Sequence, residues 1–223
     1  PKTIDNDIGL TDSIGFSTAV SVVTEALDRL QPTAASHGRI MVVEVMGRDA
    51  GHIALHSGIA GGADVILLPE IPFNLQKILE HIHTIYNRGR NFALIVVAES
   101  AFAEGQKASA IFDKNSGNRR YQGIGHSIGE QISQHVEADV RVTVLGHVQR
   151  GGSPDARDRI LASTFGIHAL DLIKQNRFGR LVTWQNRRVT SVPIEDAIHA
   201  YESVNPHGRL VLTARSLGIC LGN

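Results

Sequence analysis

At 223 residues the chain is long enough for about one and a half domains of roughly 150 residues each, and it can bury a core without help from disulfides. Hydrophobic residues make up 42% and charged residues 20%, which excludes disordered and fibrous classes. Lys plus Arg balance Asp plus Glu at 22 each, so no excess charge is left to gather nucleic acid or an anionic membrane. Any attraction for phosphate has to come from local clustering of Arg. The single cysteine, Cys220, rules out an internal disulfide framework, and no apolar run approaches the roughly 20 residues of a membrane span. These features predict a soluble, cytoplasmic protein with neither nucleic acid nor membrane as partner. The chain opens with Pro1, not Met, and its first residues read as the interior of a longer segment.

Apolar periodicity switches repeatedly between helical and strand-like. Phe16, Ala19, Val20, Val23, Leu27 and Leu30 share one helical stripe, which Pro32 is expected to stop. The β-branched run from Ile40 to Met46 suits a parallel strand covered on both faces. A helix is predicted from Ala50 to Ala60, then a strand from Val65 to Leu68 closed by Pro69. Asn74 is the expected N-cap of a helix carrying Leu75, Ile78, Leu79, Ile82 and Ile85, with Gly89 at its end. A third strand follows from Phe92 to Ala98. The polar stretch from Glu104 to Arg120, with Gly105, Lys107, Asp113, Asn115, Gly117 and Asn118, reads as a surface excursion. Ile124, Ile128, Ile132 and Val136 mark a further helix, Val140 to Leu145 a fourth strand, and Asp155 to Asn176 a long helix. Leu181–Trp184 and Arg188–Thr190 are placed to form a hairpin. Alternation of strand and helix with short links predicts an α/β, doubly wound, mostly parallel architecture.

In open parallel sheets, ligands bind beyond the carboxyl ends of the strands. The residues just after the first strand are Met46-Gly47-Arg48-Asp49-Ala50-Gly51, those after the third are Glu99-Ser100, and those after the fourth run from Gly146-His147-Val148-Gln149-Arg150 to Pro154. Glycine allows close backbone approach, Arg grips phosphate in a fork, and Glu and His exchange hydrogen bonds with hydroxyls. Together they suit a ligand with a phosphate at one end and hydroxyls along its length. Any one of these residues alone has a simpler structural reading, as turn glycine, bonded histidine or surface arginine. Coincidence at several strand ends favours a site.

Thr3-Ile4-Asp5-Asn6-Asp7 offers two carboxylates two residues apart, one able to take a proton from an attacking hydroxyl and one able to support a cation beside a transferring phosphoryl group. Taken alone, this segment reads better as an Asp-rich turn or helix-capping loop. His52 and His56 have a spacing that zinc can use, but no third ligand pattern accompanies them, and no metal is expected there. The Arg119-Arg120 and Arg187-Arg188 pairs are too sparse for a nucleic-acid stripe.

Pro1-Lys2-Thr3-Ile4-Asp5-Asn6-Asp7, Met46-Gly47-Arg48, Val97-Ala98-Glu99 and the long block from Leu145 through Gly152 to Asp158-Arg159 resemble, in order and approximate spacing, the phosphofructokinase family. The resemblance implies that family's fold: doubly wound sheets in two Rossmann-like lobes, here with the N-terminal part missing. Residues 1–15 would end the donor-binding lobe and carry the catalytic loop, 16–148 would form the fructose 6-phosphate lobe, and 149–223 would return to the donor-binding lobe.

The implied activity is phosphorylation of fructose 6-phosphate at its 1-hydroxyl, with Mg²⁺ and with ATP or pyrophosphate as donor. By resemblance Asp5 is the base, with Thr3 and Lys2 in the catalytic group and Asp7 supporting the metal. Thr3, Ile4, Asp5, Met46, Gly47, Arg48, Glu99, His147, Val148, Gln149 and Arg150 would bind substrate. Arg39 and Arg141 would reach the phosphate of a neighbouring subunit, implying a homodimer or homotetramer. Lys2 stands where many ATP-using members have Gly, which keeps pyrophosphate open beside ATP. The family's glycine-rich phosphate loop and Gly-Gly-Asp segment are absent, so the chain is expected to transfer phosphate poorly by itself. The competing reading is a non-catalytic, sugar-phosphate-binding regulatory relative, against which the retained Asp5 argues.

Overall fold

Short β-branched runs and amphipathic helices alternate along the chain as the apolar pattern requires. The computed structural model describes residues 1–108, 110–112, 119–121 and 123–223. Its elements are β1 (Lys2–Thr3), β2 (Ile14–Gly15), α1 (Phe16–His37), β3 (Ile40–Val45), α2 (His52–Ala60), β4 (Val65–Leu67), α3 (Leu75–Asn87) and β5 (Ala93–Ala98). They continue with β6 (Ala110–Phe112), β7 (Arg119–Tyr121), α4 (Ile124–Ser133), β8 (Val140–Val144) and α5 (Ala156–Lys174). The hairpin β9 (Arg180–Gln185) and β10 (Arg188–Pro193) follows, then α6 (Ile194–His199) and α7 (Arg209–Ser216). Asp113, Asn115, Gly117 and Asn118 of the expected excursion lie outside the described residues.

The largest sheet has the order β4-β5-β3-β8, and every pair in it is parallel. Alternate residues of its strands feed opposite cores. Val43, Val45, Ile66 and Val96 pack with Ala19, Val23 and Leu27 of α1 and Ile53 to Leu55 of α2. Ile40, Val42, Val65, Leu67 and Ile95 pack with Ile78, Leu79 and Ile82 of α3 and Ile128 and Ile132 of α4. Helices therefore cover both faces, and β3 and β5 are buried along their whole length, β5 as its unbroken apolar run demands and β3 with Glu44 satisfied by Gly125 N at 2.8 Å. The chain is an α/β protein of the doubly wound kind.

Three expectations change. Pro32 does not stop α1, which runs on to His37 and ends at Gly38 with φ 64°. The proline forfeits one intrahelical bond, but the turn beyond it is held by Ala34, fully buried against Met41 and Leu94. Val136 falls outside α4, although it still packs on that core. The last stretch of the chain does not keep apart from the large sheet. Val204, Val211, Ala214, Ile219 and Leu221 join the α1–α2 core, while Cys220 pairs with the free edge of β4 through Cys220 N to Asp64 O and Ile66 N to Cys220 O, each 2.9 Å. Covering an exposed edge strand is a general need of open sheets, and it gives Cys220 a backbone role that its side chain does not announce.

A smaller core joins Leu161, Phe165 and Leu172 of α5 to Val182 of the hairpin. The opposite face of α5 leaves Ile160, Ile167, Leu170 and Ile173 exposed. The two long helices meet end to end. Helix α1 starts at Gly15 with no side-chain cap of its own and no acidic residue in its first turn. The buried Asp158 of α5 supplies the anion instead, accepting from Gly15 N and Thr18 N at 2.9 Å each. Replacing Asp158 by Ala should therefore destabilise the fold by about 3 kcal/mol in urea denaturation, since it orphans buried donors at a helix start. A loss below about 1 kcal/mol would mean that water replaces the carboxylate at no cost.

Candidate active site

Strands β5, β3 and β8 are neighbours, so the three segments that follow them meet at one end of the sheet. Their junction is built from backbone bonds. Glu99 Oε1 accepts from Gly47 N at 3.2 Å and Arg48 N at 2.9 Å, and Ser100 Oγ donates to the Arg48 carbonyl. On the other side, Gln149 is buried and spends both ends of its amide: Oε1 accepts from Met46 N at 3.2 Å, and Nε2 donates to Gly146 O at 3.0 Å. The turn itself needs Gly47. Its φ is 150°, and a Cβ there would lie 2.5 Å from the Ala50 carbonyl oxygen. Arg48 adopts φ 51°, which turns its side chain out of the strand direction.

That turn faces the Asp5 segment. Strand β1 lies parallel to β2, pairing Thr3 with Gly15, and the return between them carries Asp5 into a site where only 4% of the residue is exposed. Thr3 Oγ1 donates to Asp5 Oδ2 at 3.3 Å and accepts from Asp5 N at 3.1 Å; Arg48 Nε lies 3.7 Å from the same carboxylate oxygen. Asp5 Oδ1 is buried with no hydrogen-bond partner. Burial, aided by the charge of Asp7, pushes the Asp5 carboxyl above its ordinary value, while Arg150, Arg48 and the Thr3 hydroxyl pull it partly back. Glu99 is raised as well. Burial is the main cause, the two N–H bonds oppose it, and Asp5 and Glu44 add to it.

Lys2 and Asp7 flank Asp5 on the same segment, Lys2 exposed and Asp7 half-buried. His147, Val148 and Arg150 stand exposed on the 3-10 turn Gly146–Arg150, close enough for Arg150 to act electrostatically on Asp5. Thus Thr3, Asp5, Gly47, Arg48, Glu99 and the His147–Arg150 turn gather at the carboxyl end of the sheet. Arg39 and Arg141 do not. They precede or open their strands, at the amino end, where Arg39 Nε, Arg141 Nε and Arg141 Nη2 all donate to Asp139 Oδ2 at 2.9–3.0 Å. A strand the length of β3 separates the two ends by roughly 16 Å, so one ligand cannot touch both sets within one chain.

Some residues at the edge of the site carried no sequence signal. Tyr121 donates to Asp49, and Tyr201, pushed far above its ordinary value by burial and the charges of Asp49, Asp7 and Glu70, lies beside them. These pairs span 72 residues or more, and no local motif marks them. His52 and His56 bond backbone carbonyls, Glu202 O and His52 O respectively. Among the described residues no group of three or more His, Cys, Asp or Glu could hold a metal ion.

Comparison with known proteins bears on this arrangement directly. The family model described as Phosphofructokinase matches residues 1–173, which is most of the chain. The chain belongs to the phosphofructokinase family. It is 56% identical over 225 residues to ATP-dependent 6-phosphofructokinase 1 of Synechocystis sp. and 50% identical over 228 residues to the ATP-dependent 6-phosphofructokinase of Thermosynechococcus vestitus. In both alignments the whole of this chain is matched, and it spans 62% and 60% of those relatives. Among solved structures, phosphofructokinase from Saccharomyces cerevisiae superposes with TM-score 0.74 at 28% identity, over 97% of this chain and 26% of that one. A pyrophosphate-dependent phosphofructokinase from Marinobacter aquaeolei gives TM-score 0.80 at 22% identity, over 100% and 60%, and so supports the fold.

The raised Asp5 carboxyl has a thermodynamic consequence. Its folded-state pKa exceeds the unfolded one, so the ionised group detracts from stability once pH rises past the ordinary carboxylate range. Asp5→Asn should raise the melting temperature at about pH 7, and the gain should vanish near pH 3, where Asp5 is protonated in both states. Equal melting temperatures at neutral pH would show that the arginines fully offset burial.

Proposed function

We propose that this chain supplies the acceptor half of a 6-phosphofructokinase, binding fructose 6-phosphate at the carboxyl ends of β3, β5 and β8. The observation that carries the reading is Asp5: a buried carboxylate with one oxygen unpartnered, facing an arginine and a glycine turn. A buried carboxylate held above its ordinary value beside a guanidinium suits a proton acceptor better than a group that only binds sugar phosphate.

In this reading His147 and Arg150 grip the 6-phosphate, and Glu99, braced on the Gly47–Arg48 backbone, receives sugar hydroxyls along with Met46 and Ile4. Val148 and Gln149 shape the turn that aims them. Asp5 takes the proton of the 1-hydroxyl as that oxygen forms a bond to the transferred phosphorus and the donor's bridging oxygen leaves with the electron pair. Its raised pKa improves it as a base near neutrality, and Thr3 fixes its orientation. Arg48 opposes the build-up of negative charge beside it.

A magnesium ion is supported only in part by these residues. Asp7 offers a second carboxylate close enough for its charge to act on Asp5, while a hard divalent ion takes about six oxygens. Phosphate oxygens, water and residues in the additional length of the relatives would provide the rest. When bound, Mg²⁺ would neutralise charge on the transferring phosphoryl group. ATP is the donor we propose, supported by the names of relatives 50–56% identical to this chain; Lys2 is the residue that keeps pyrophosphate as the arm to test. The lobe assignment extends the same reading: residues 16–148 hold the sugar phosphate, and 1–15 with the α5 region belong to the donor lobe. Arg39 and Arg141, unable to reach their own site, serve the phosphate of a neighbouring copy in a homodimer or homotetramer.

The experiment is a steady-state assay of the full-length protein with fructose 6-phosphate and each donor. ATP-dependent turnover is expected, with Asp5→Asn lowering kcat by about 10²–10⁴ while substrate binding, measured by calorimetry, is retained. This chain alone is expected to bind fructose 6-phosphate weakly and to show no turnover. Loss of binding in Asp5→Asn together with unchanged kcat would reverse the assignment of roles.

A further inference from the structure

The Asp5 segment is short and makes few contacts of its own, yet it has to hold a base in place. Much of its support comes from nearly 200 residues away. Glu202 N donates to Asp7 O at 3.0 Å, and Ile8 pairs with Tyr201 in an antiparallel bridge. Gly9 lies so close to this strap that a Cβ would sit 1.8 Å from the Ala200 carbonyl oxygen. The strap, Ala200–Val204, lies beyond the region that the family model matches.

Its far side is tied to the site as well. Glu202 O is bonded to His52 Nε2 at 3.1 Å, and the buried Val204 donates its N–H to Glu70 Oε1 at 2.8 Å. The same oxygen accepts from Gly51 N at 2.9 Å. Gly51 opens α2 directly after the Met46–Asp49 turn. One carboxylate oxygen at the end of β4 thus joins the strap that pins Asp7 to the turn that faces Asp5. The other oxygen, Oε2, is buried and has no hydrogen-bond partner. A single side-chain oxygen that accepts both backbone donors ties the two segments at one point.

We propose that Glu70 is a positioning residue, clamping the Ala200–Val204 strap to the start of α2 and through it fixing the Asp5–Asp7 segment; this rests on the reading of Asp5 as the catalytic base. Displacing a base by about 1 Å costs on the order of 10²-fold in rate, so a loosened strap registers in kcat before it registers in substrate affinity.

Three variants test it: Glu70→Ala removes the acceptor, Glu70→Gln keeps an acceptor oxygen, and Val204→Pro removes the strap's donor while leaving the Gly51 bond. Amide exchange followed by mass spectrometry on this chain should show residues 3–10 exchanging at least about tenfold faster in Glu70→Ala and Val204→Pro, with α3 unchanged and Glu70→Gln within about twofold of wild type. In the full-length protein, Val204→Pro should lower kcat about tenfold or more, with KM for fructose 6-phosphate moving less than about threefold. Unchanged exchange in residues 3–10 overturns the clamp, as does a uniform rise that includes α3, or wild-type kcat despite faster exchange. Failure of Glu70→Gln to rescue overturns it too. Should Glu70→Ala not fold, Val204→Pro and Glu70→Gln decide. A wild-type protein inactive with either donor would sink the catalytic reading instead, and the exchange result then judges the clamp by itself.

Discussion

Two consecutive N–H groups, those of Gly47 and Arg48, point at a single oxygen of Glu99, and the site depends on that arrangement. Consecutive amides converge only where the backbone leaves the extended conformation, which is why Gly47 takes φ 150° and Arg48 φ 51°. The bonds do two things at once. They hold the end of β3 against the end of β5, and they swing the Arg48 side chain toward Asp5. Without the turn, the adjacent strands would still form a sheet, but their ends would present scattered charges and no common pocket.

The same economy explains where the charges sit. Asp5 and Glu99 are both raised by burial, and each raises or is raised by a carboxylate neighbour. Such crowding is unfavourable in the free protein; Arg150, Arg48 and the Thr3 hydroxyl relieve it at Asp5, and the Arg48 and Gly47 N–H groups relieve it at Glu99. A phosphorylated, hydroxyl-rich ligand fits this polarity: arginine and imidazole at the exposed turn, acceptors deeper in.

Much of this was legible in the sequence because it is encoded locally. Apolar runs such as Ile40–Val43 and Ala93–Ala98 identify strands buried on both faces, and the side chain of Asn74 caps α3 as its type foretells. The motif residues after the strands fall at one end because parallel strands place all their carboxyl ends together. What could not be read was long-range. Pro32 looks like a stop until Ala34 is seen against Met41 and Leu94. Asp158 looks like part of a phosphate-site motif, yet its carboxylate caps α1. Gln149 sits between two exposed neighbours, but its amide is spent on the backbone. Nothing in the residues around Cys220 states that they will pair with β4.

The separation of Arg39 and Arg141 from the rest follows from the same topology. Both donate to Asp139 Oδ2, and that shared carboxylate lets two guanidinium groups lie side by side on one surface. Residues at the amino end of a parallel strand are committed by its length to a different place from residues at its carboxyl end. If the pair serves a phosphate site, that site lies outside its own chain's sheet end, a separation set by the register of β3 and β8. A sheet with antiparallel β8 would have brought Arg141 round to the end where Asp5 and Glu99 lie.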